Sequence, residues 1–389
     1  MIRQLINANE LEQAETFLRQ ANQSVSAPVE LAELGYFVAL RHRANGDHER
    51  ALRHLADYLD GISLKLVEKP ETAGWMVKTL AELPFACERA GKSSSLASFL
   101  ATFQDRADAA VMAWNSRPVA SENDRNAQLA AVAALMCLRS EVGVAGGSLQ
   151  TEHDMHDYFT YCLSGVSASE FQPVAVHAVH SMGYVEAHAY VIRDRDQWRR
   201  VFGRAREMSG RLNDTEKRLF DRTLRKTEVA VERAVACSAL IGRVFPIEEV
   251  VWQRDIARDP GSPRKSLVCV FPPGESDFDE PHVMSKMRDA QVNLSCLQFV
   301  ALRPYAADTA EAEASARQSD IAFMSKMLRR STSEPYVGIA PEDFSLLANQ
   351  RLSGPLFVVV GPTGTIRAAS VSQSDPSIRH LRSELQRQE

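Results

Sequence analysis

The sequence predicts two domains of different class: an all-α, irregular helical-repeat solenoid over residues 1–241 and an α/β domain with a mixed central sheet over residues 242–389. Three observations carry this. A chain of 389 residues exceeds one ordinary core, since domains run about 100–200 residues. From Asn7 to about Gly242 apolar residues recur at three- and four-residue spacing, the period of amphipathic helices. After Gly242 short β-rich runs alternate with helical patterns, the signature of an α/β sheet.

Within the first half, "AELGYFVALRHRANGDHERALRHLADYL" places one helix before Gly46-Asp47 and another after it, with Ala51, Leu52, Leu55 and Leu59 as the second helix's apolar stripe. Similar junctions follow in "ACERAGKSSSLASFLATF", "CLRSEVGVAGGSLQTEHDMHDYF" and "AHAYVIRDRDQWRRVFGRA". The turns fall near residues 46, 91, 145 and 195, a spacing of roughly 45–50 residues that matches the longer helical repeats. Stacked helix pairs bury a continuous core and present an extended surface. The same pattern also suits a compact helical spacer. A long helix closes this half in "LNDTEKRLFDRTLRKTEVAVERAVACSALIG": Asp214 is its expected N-cap, Phe220, Leu224, Val231 and Val235 share a face, and Gly242 is its expected stop.

The second half reads "EEVVW", "SLVCVF", a helix from about Asp277 to Ala290, "CLQFVAL", and a longer helix in "TAEAEASARQSDIAFMSKMLRR". It continues with "PYVGIA", a short helix "PEDFSLLANQ", the strands "PLFVVV" and "TIRAASV", and a last helix in "PSIRHLRSELQRQ". A strand–helix–strand crossover requires a parallel pair, whereas the short "GPTG" link requires an antiparallel hairpin.

Two stretches carry a resemblance. "YVGIAPEDFSLLANQRLSGPLFVVVGPTGTI" and "IGRVFPIEEVVW" resemble segments of the thioredoxin fold in its redoxin-like form, and "GDHERALRHL" resembles a tetratricopeptide repeat. The first resemblance implies that Pro355 is a cis-proline, Gly364 a turn glycine, and Gly354 the residue whose backbone pairs with an extended peptide. It also implies a Cys-x-x-Cys at the start of the helix after the first long strand. That slot falls on Ser276, Asp277, Phe278 and Asp279, give or take a residue or two, and holds no cysteine. Cys269 lies inside the preceding strand and Cys296 at the start of the next one, expected at the opposite end of the sheet. The implied fold therefore arrives without the implied activity. Ser276 and Asp279 fit a capping-box pattern, and Asp277, Asp279 and Glu280 suit the positive end of a helix dipole.

Other constellations are weighed against ordinary structural roles. Glu275, Asp277, Asp279 and Glu280 form an oxygen-rich cluster without the glycine and spacing of a calcium loop. His153 and His156, and His177 and His180, stand three apart on helices, with His188 further on. If they met across the stack, with Asp154, Asp157 or Glu186 as oxygen ligands, they would bind zinc or iron; surface or core histidines also explain them. No HExxH, GxxxxGK[ST] or Gly-x-Ser-x-Gly occurs. Met284, Met287, Met324 and Met327 recur at helical spacing, as core fillers do.

A net charge of -5, from 45 basic and 50 acidic residues well mixed, disfavours nucleic acid as a partner. The longest apolar runs, near Leu129–Leu138 and Leu356–Val360, fall short of a bilayer span, and six scattered cysteines fit reduced thiols, so a soluble cytoplasmic chain is expected. The sequence reading is an interaction or scaffold protein with a protein or peptide partner, no cofactor, no metal and no membrane. Its alternative is an enzyme: a thiol oxidoreductase or peroxidase using Cys269 or Cys296, or a metal-dependent enzyme using the helical histidines.

Overall fold

A computed structural model of the chain describes residues 1–24, 28–61, 70–148, 150–168, 173–252, 266–271, 287, 297–303, 336–341, 344–347, 355–371 and 374–386. The chain forms two compact units, Met1–Gly183 with Arg200–Leu224, and Tyr184–Arg199 with Arg225–Glu389.

The helices in chain order are α1 (Ile2–Asn7), α2 (Leu11–Ser24), α3 (Pro28–Ala44), α4 (His48–Gly61), α5 (Pro70–Arg89), α6 (Ser93–Asn115), α7 (Glu122–Gly146), α8 (Thr151–Ala168), α9 (Pro173–Ala187), α10 (Arg195–Ser209) and α11 (Asp214–Ser238). From α1 to α8 each helix packs on the next wherever its neighbour follows, and α1, α3, α5 and α7 also pack on one another in series. This is the contact pattern of stacked helix pairs. One core runs through it, from Ala39 of α3 and Leu52, Leu55 and Leu59 of α4 to Leu135 and Leu138 of α7. The expected stripe on α4 is thus buried, and Ala51 with it. Gly46, Gly91 and Gly147 close three of the expected turns at φ 80°, 68° and 64°, a conformation that costs glycine little.

Helix α7 is long and apolar enough, by length and composition, to cross a bilayer, which the reading of short apolar runs overlooked. Its apolar residues are used inside the stack: Ala131, Val132, Leu135, Leu138 and Val142 are buried between neighbours α5, α6 and α8. Ser121 caps it by accepting a bond from the Asp124 amide at 3.2 Å.

Two expectations about α11 are corrected. Its N-cap is Asn213, whose Oδ1 accepts from the amides of Thr215 and Glu216 at 3.2 and 3.1 Å, with Asp214 as the first helical residue. The helix ends at Ser238, four residues before Gly242. Gly242 instead takes φ 86° and donates its N–H to Ile366 O at 2.9 Å, so it ties the chain to the sheet.

The second unit contains a six-stranded sheet of order β1-β4-β3-β2-β5-β6, built from β1 (Val251–Trp252), β2 (Ser266–Phe271), β3 (Leu297–Arg303), β4 (Tyr336–Pro341), β5 (Leu356–Val360) and β6 (Ile366–Ser370). The expected parallel pair is β2 with β3, extended by β4 parallel to β3. The expected hairpin is β5–β6, turned at Gly364 with φ 79°. The sheet is mixed because β5 also pairs antiparallel with β2.

Both faces of the sheet are covered, so β5 is buried throughout. Val268, Val270, Val300, Leu356 and Val358 meet Cys237, Leu240, Phe245 and Phe344 on one side. On the other side lies α12 (Asp375–Gln386), packed on β2, β5 and β6. The expected helices over 277–290 and 309–330 lie outside the described residues, apart from buried Met287.

An ion pair ties two helical segments within the second unit. Arg195 and Arg199 both bond Glu232, the latter at 3.2 Å, and the Arg195 contact holds the Glu232 carboxyl below its ordinary range. A depressed carboxylate pKa contributes stability above the unfolded value, about 4.3, and loses it as pH falls through the folded one. Because Glu232 is 40% exposed, solvent screening limits the effect. Glu232→Gln is expected to lower stability by about 0.5 kcal/mol at pH 7, with the gap to the parent closing only as pH falls below about 4, as read by urea unfolding across that range.

Candidate functional site

The register of the sheet brings several chain segments to one end. Val270 of β2 faces Leu356, so β2 leaves the sheet where β5 enters it at Pro355. Phe357 pairs with Ser370, so β6 leaves at the same end through Val371. The parallel strands β2, β3 and β4 also terminate there, the end at which α/β sheets hold ligands.

A groove of about 490 Å³ adjoins this end, along edge strand β6. Its floor includes Ser370 and Val371, one wall is Tyr190, and the other is α11. Arg225, Val229 and Arg233 recur every four residues, so they share one face of that helix, and Lys226 stands beside them. Three cations thus line the groove against one carboxylate, Glu186. Val229 is 46% exposed, an apolar foothold between charges.

The wall is fixed by contacts that leave its cations facing solvent. Tyr190 stacks on His380 of α12 with ring centroids 4.8 Å apart, and Ser374 donates its hydroxyl to Ala187 O at 2.8 Å. Burial pushes the His380 imidazole below its usual pKa, which keeps this stacked ring neutral at physiological pH. The Cys237 thiol, bonded to the Val371 backbone, is pushed up to about 12 by burial. An apolar-and-cationic groove beside a strand edge suits a carboxylate-bearing, extended chain.

Of the residues the sequence singled out here, Pro355 is described, and it is buried at the entry to β5. Ser276, Asp277, Phe278, Asp279 and Gly354 lie outside the described residues, as do Glu275, Glu280 and Cys296. No cis peptide bond occurs among the described residues, and the bond into Pro355 from Gly354 is outside them. Cys269 sits in mid-strand on β2, fully buried and in register with Phe299 of β3 and Phe357 of β5. Burial pushes its thiol far up, which disfavours the thiolate.

The histidine pairs do not assemble a three-ligand cluster among the described residues. His153 and His156 on α8 turn to Asp157 of the same helix at 3.4 and 3.6 Å. Burial lowers the His156 and His177 pKa values. His188 is buried, with Nδ1 3.0 Å from Tyr184 O. A different group converges: the ligand atoms of Glu15, His42 and His54 lie within 4.8 Å of one another.

Sequence reading missed both the groove and this cluster. The Arg225-x3-Val229-x3-Arg233 line was visible in "LRKTEVAVER", but nothing in the sequence joins it to Ser370. No protein-family model, curated protein or solved structure matches the chain.

Proposed function

We propose that the chain is a non-catalytic interaction protein in which a tetratricopeptide-like helical repeat accompanies a thioredoxin-like domain that lacks its dithiol. The partner is a protein bearing an extended acidic segment, which lies in the groove of Arg225, Lys226, Val229 and Arg233. The observation that carries the reading is the placement of this groove at the sheet end where β2 leaves and β5 enters. In the resembled fold that end is the place of substrate peptides. Strand order, the parallel β2–β3 pair and the β5–β6 hairpin support the resemblance. Buried Cys269 and the absence of cysteine at residues 276–279 support the non-catalytic half.

Fluorescence anisotropy of the full chain with a labelled Glu- and Asp-rich peptide tests the partner class. Binding is expected to weaken at least tenfold in Arg225→Glu/Arg233→Glu and to fall with added salt. Equal affinity for a neutral peptide of the same length, or indifference to the charge reversal, contradicts the groove assignment. A disulfide-reduction assay addresses catalysis separately. The parent protein and Cys269→Ala are both expected to match the uncatalysed rate, and turnover by the parent that Cys269→Ala abolishes overturns the non-catalytic reading.

A further inference from the structure

We infer that Glu15, His42 and His54 form a binding site for a divalent transition-metal ion, with zinc as the ion their chemistry favours. The three come from successive helices: Glu15 from α2, His42 from α3 and His54 from α4. Both imidazoles direct Nε2 at the same carboxylate oxygen. Glu15 Oε1 lies 2.5 Å from His42 Nε2 and 3.0 Å from His54 Nε2. The rings stack nearly parallel, 9° apart with centroids at 5.3 Å, so the two Nε2 atoms stand side by side. His42 is 3% exposed and the Glu15 side chain 14%.

Geometry and ligand type agree with a metal centre. Zinc takes imidazole nitrogen and carboxylate oxygen at about 2.0–2.2 Å in tetrahedral arrangement, which sets ligand atoms roughly 3.3 Å apart. The separations here, from 2.5 Å up to a bound of 4.8 Å, bracket that value. His42 Nδ1 faces Asp47 Oδ2 at 3.9 Å, on the side where metal-binding histidines keep an outer carboxylate partner. Asp47 is itself held by Arg50, whose amide donates to Oδ1 at 3.1 Å. Two histidines and one carboxylate leave a fourth position for water, as in zinc sites with three protein ligands.

An apolar stack gains little from one buried and one half-buried histidine around a carboxylate unless they are partnered. A hydrogen-bonded clamp is the competing account: both rings donate to Glu15 and no ion binds. The two accounts differ in stoichiometry.

The chelator-treated full chain, titrated with ZnCl₂ in a calorimeter, is expected to take up one ion per chain and to melt at a higher temperature once loaded. Glu15→Gln and His54→Gln are each expected to abolish that uptake while His153→Gln/His156→Gln retains it. Absence of saturable uptake by the parent, or equal uptake by the Glu15 and His54 variants, overturns the assignment. Should those variants fail to fold, X-ray absorption on the cobalt-loaded parent decides the matter. A first shell containing two imidazole nitrogens supports the site, and a shell of oxygens alone or with sulfur refutes it.

Discussion

Phe357→Ala is expected to destabilise the second unit by about 3–5 kcal/mol, the range for deleting a fully buried aromatic ring. Phe357 is the second residue of β5, opposite Cys269 of β2 and Ser370 of β6, with no exposed surface. Directly paired residues share a face, and Ser370 bonds Ser377 of α12 through their hydroxyls at 2.6 Å, so the ring lies on the α12 side. The cavity left by alanine has backbone strands on two sides and a helix above, and none of these can collapse freely. Phe357→Leu keeps most of the volume and is expected to cost about 1.5 kcal/mol or less. Urea unfolding of the full chain, followed by a probe in the second unit, reads both. A loss below 1 kcal/mol for alanine means that α12 does not cover this face.

The same strand shows why so much of this unit was legible in sequence. "PLFVVV" and "SLVCVF" are short, β-branched and bounded by Gly, Pro or Ser, and a sheet buried on both faces needs no alternation. Pairing direction followed from connection length alone: four residues at "GPTG" allow only a hairpin, and a helix-length link allows a parallel neighbour. Helix ends were less secure. Asn213 and Asp214 are both good caps, and only the hydrogen bonds to Thr215 and Glu216 distinguish them. Gly242 read as a helix stop because its positive φ serves equally well in a sheet-edge contact.

Sites were illegible for a different reason. The i, i+3 spacing of His153 and His156 looks like a ligand pattern because it puts two rings on one helix face, yet a metal needs a third ligand from elsewhere. Those rings pair with Asp157 of their own helix, and no third ligand joins them among the described residues. His42 and His54 have no helical spacing at all. They meet because the turn at Gly46 folds α4 back on α3, and Glu15 joins them from α2. Ser370 and Tyr190 are equally distant in sequence and adjacent in the groove. Local periodicity carries the elements, whereas sites depend on which elements become neighbours.

Arg43→Ala is expected to cost about 2–3 kcal/mol, the next largest loss, because it takes a cationic partner away from a buried carboxylate. Arg43 of α3 donates from Nη1 to Glu82 Oε2 of α5 at 2.5 Å, where the Glu82 side chain is only 7% exposed and that of Arg43 30%. The guanidinium also lies over the Phe85 ring, 5.5 Å from its centroid, so its removal loses packing as well as charge. Partial exposure of Arg43 keeps the expected loss below the 3–5 kcal/mol typical of a fully buried pair. Adding Glu82→Leu to Arg43→Ala removes the buried charge and places an apolar side chain near Phe85, so the double variant should be more stable than Arg43→Ala alone. A double-mutant cycle by urea unfolding measures this difference. A double variant no more stable than the single one means that the Glu82 carboxylate is satisfied without Arg43, and that apolar packing rather than this ion pair joins α3 to α5.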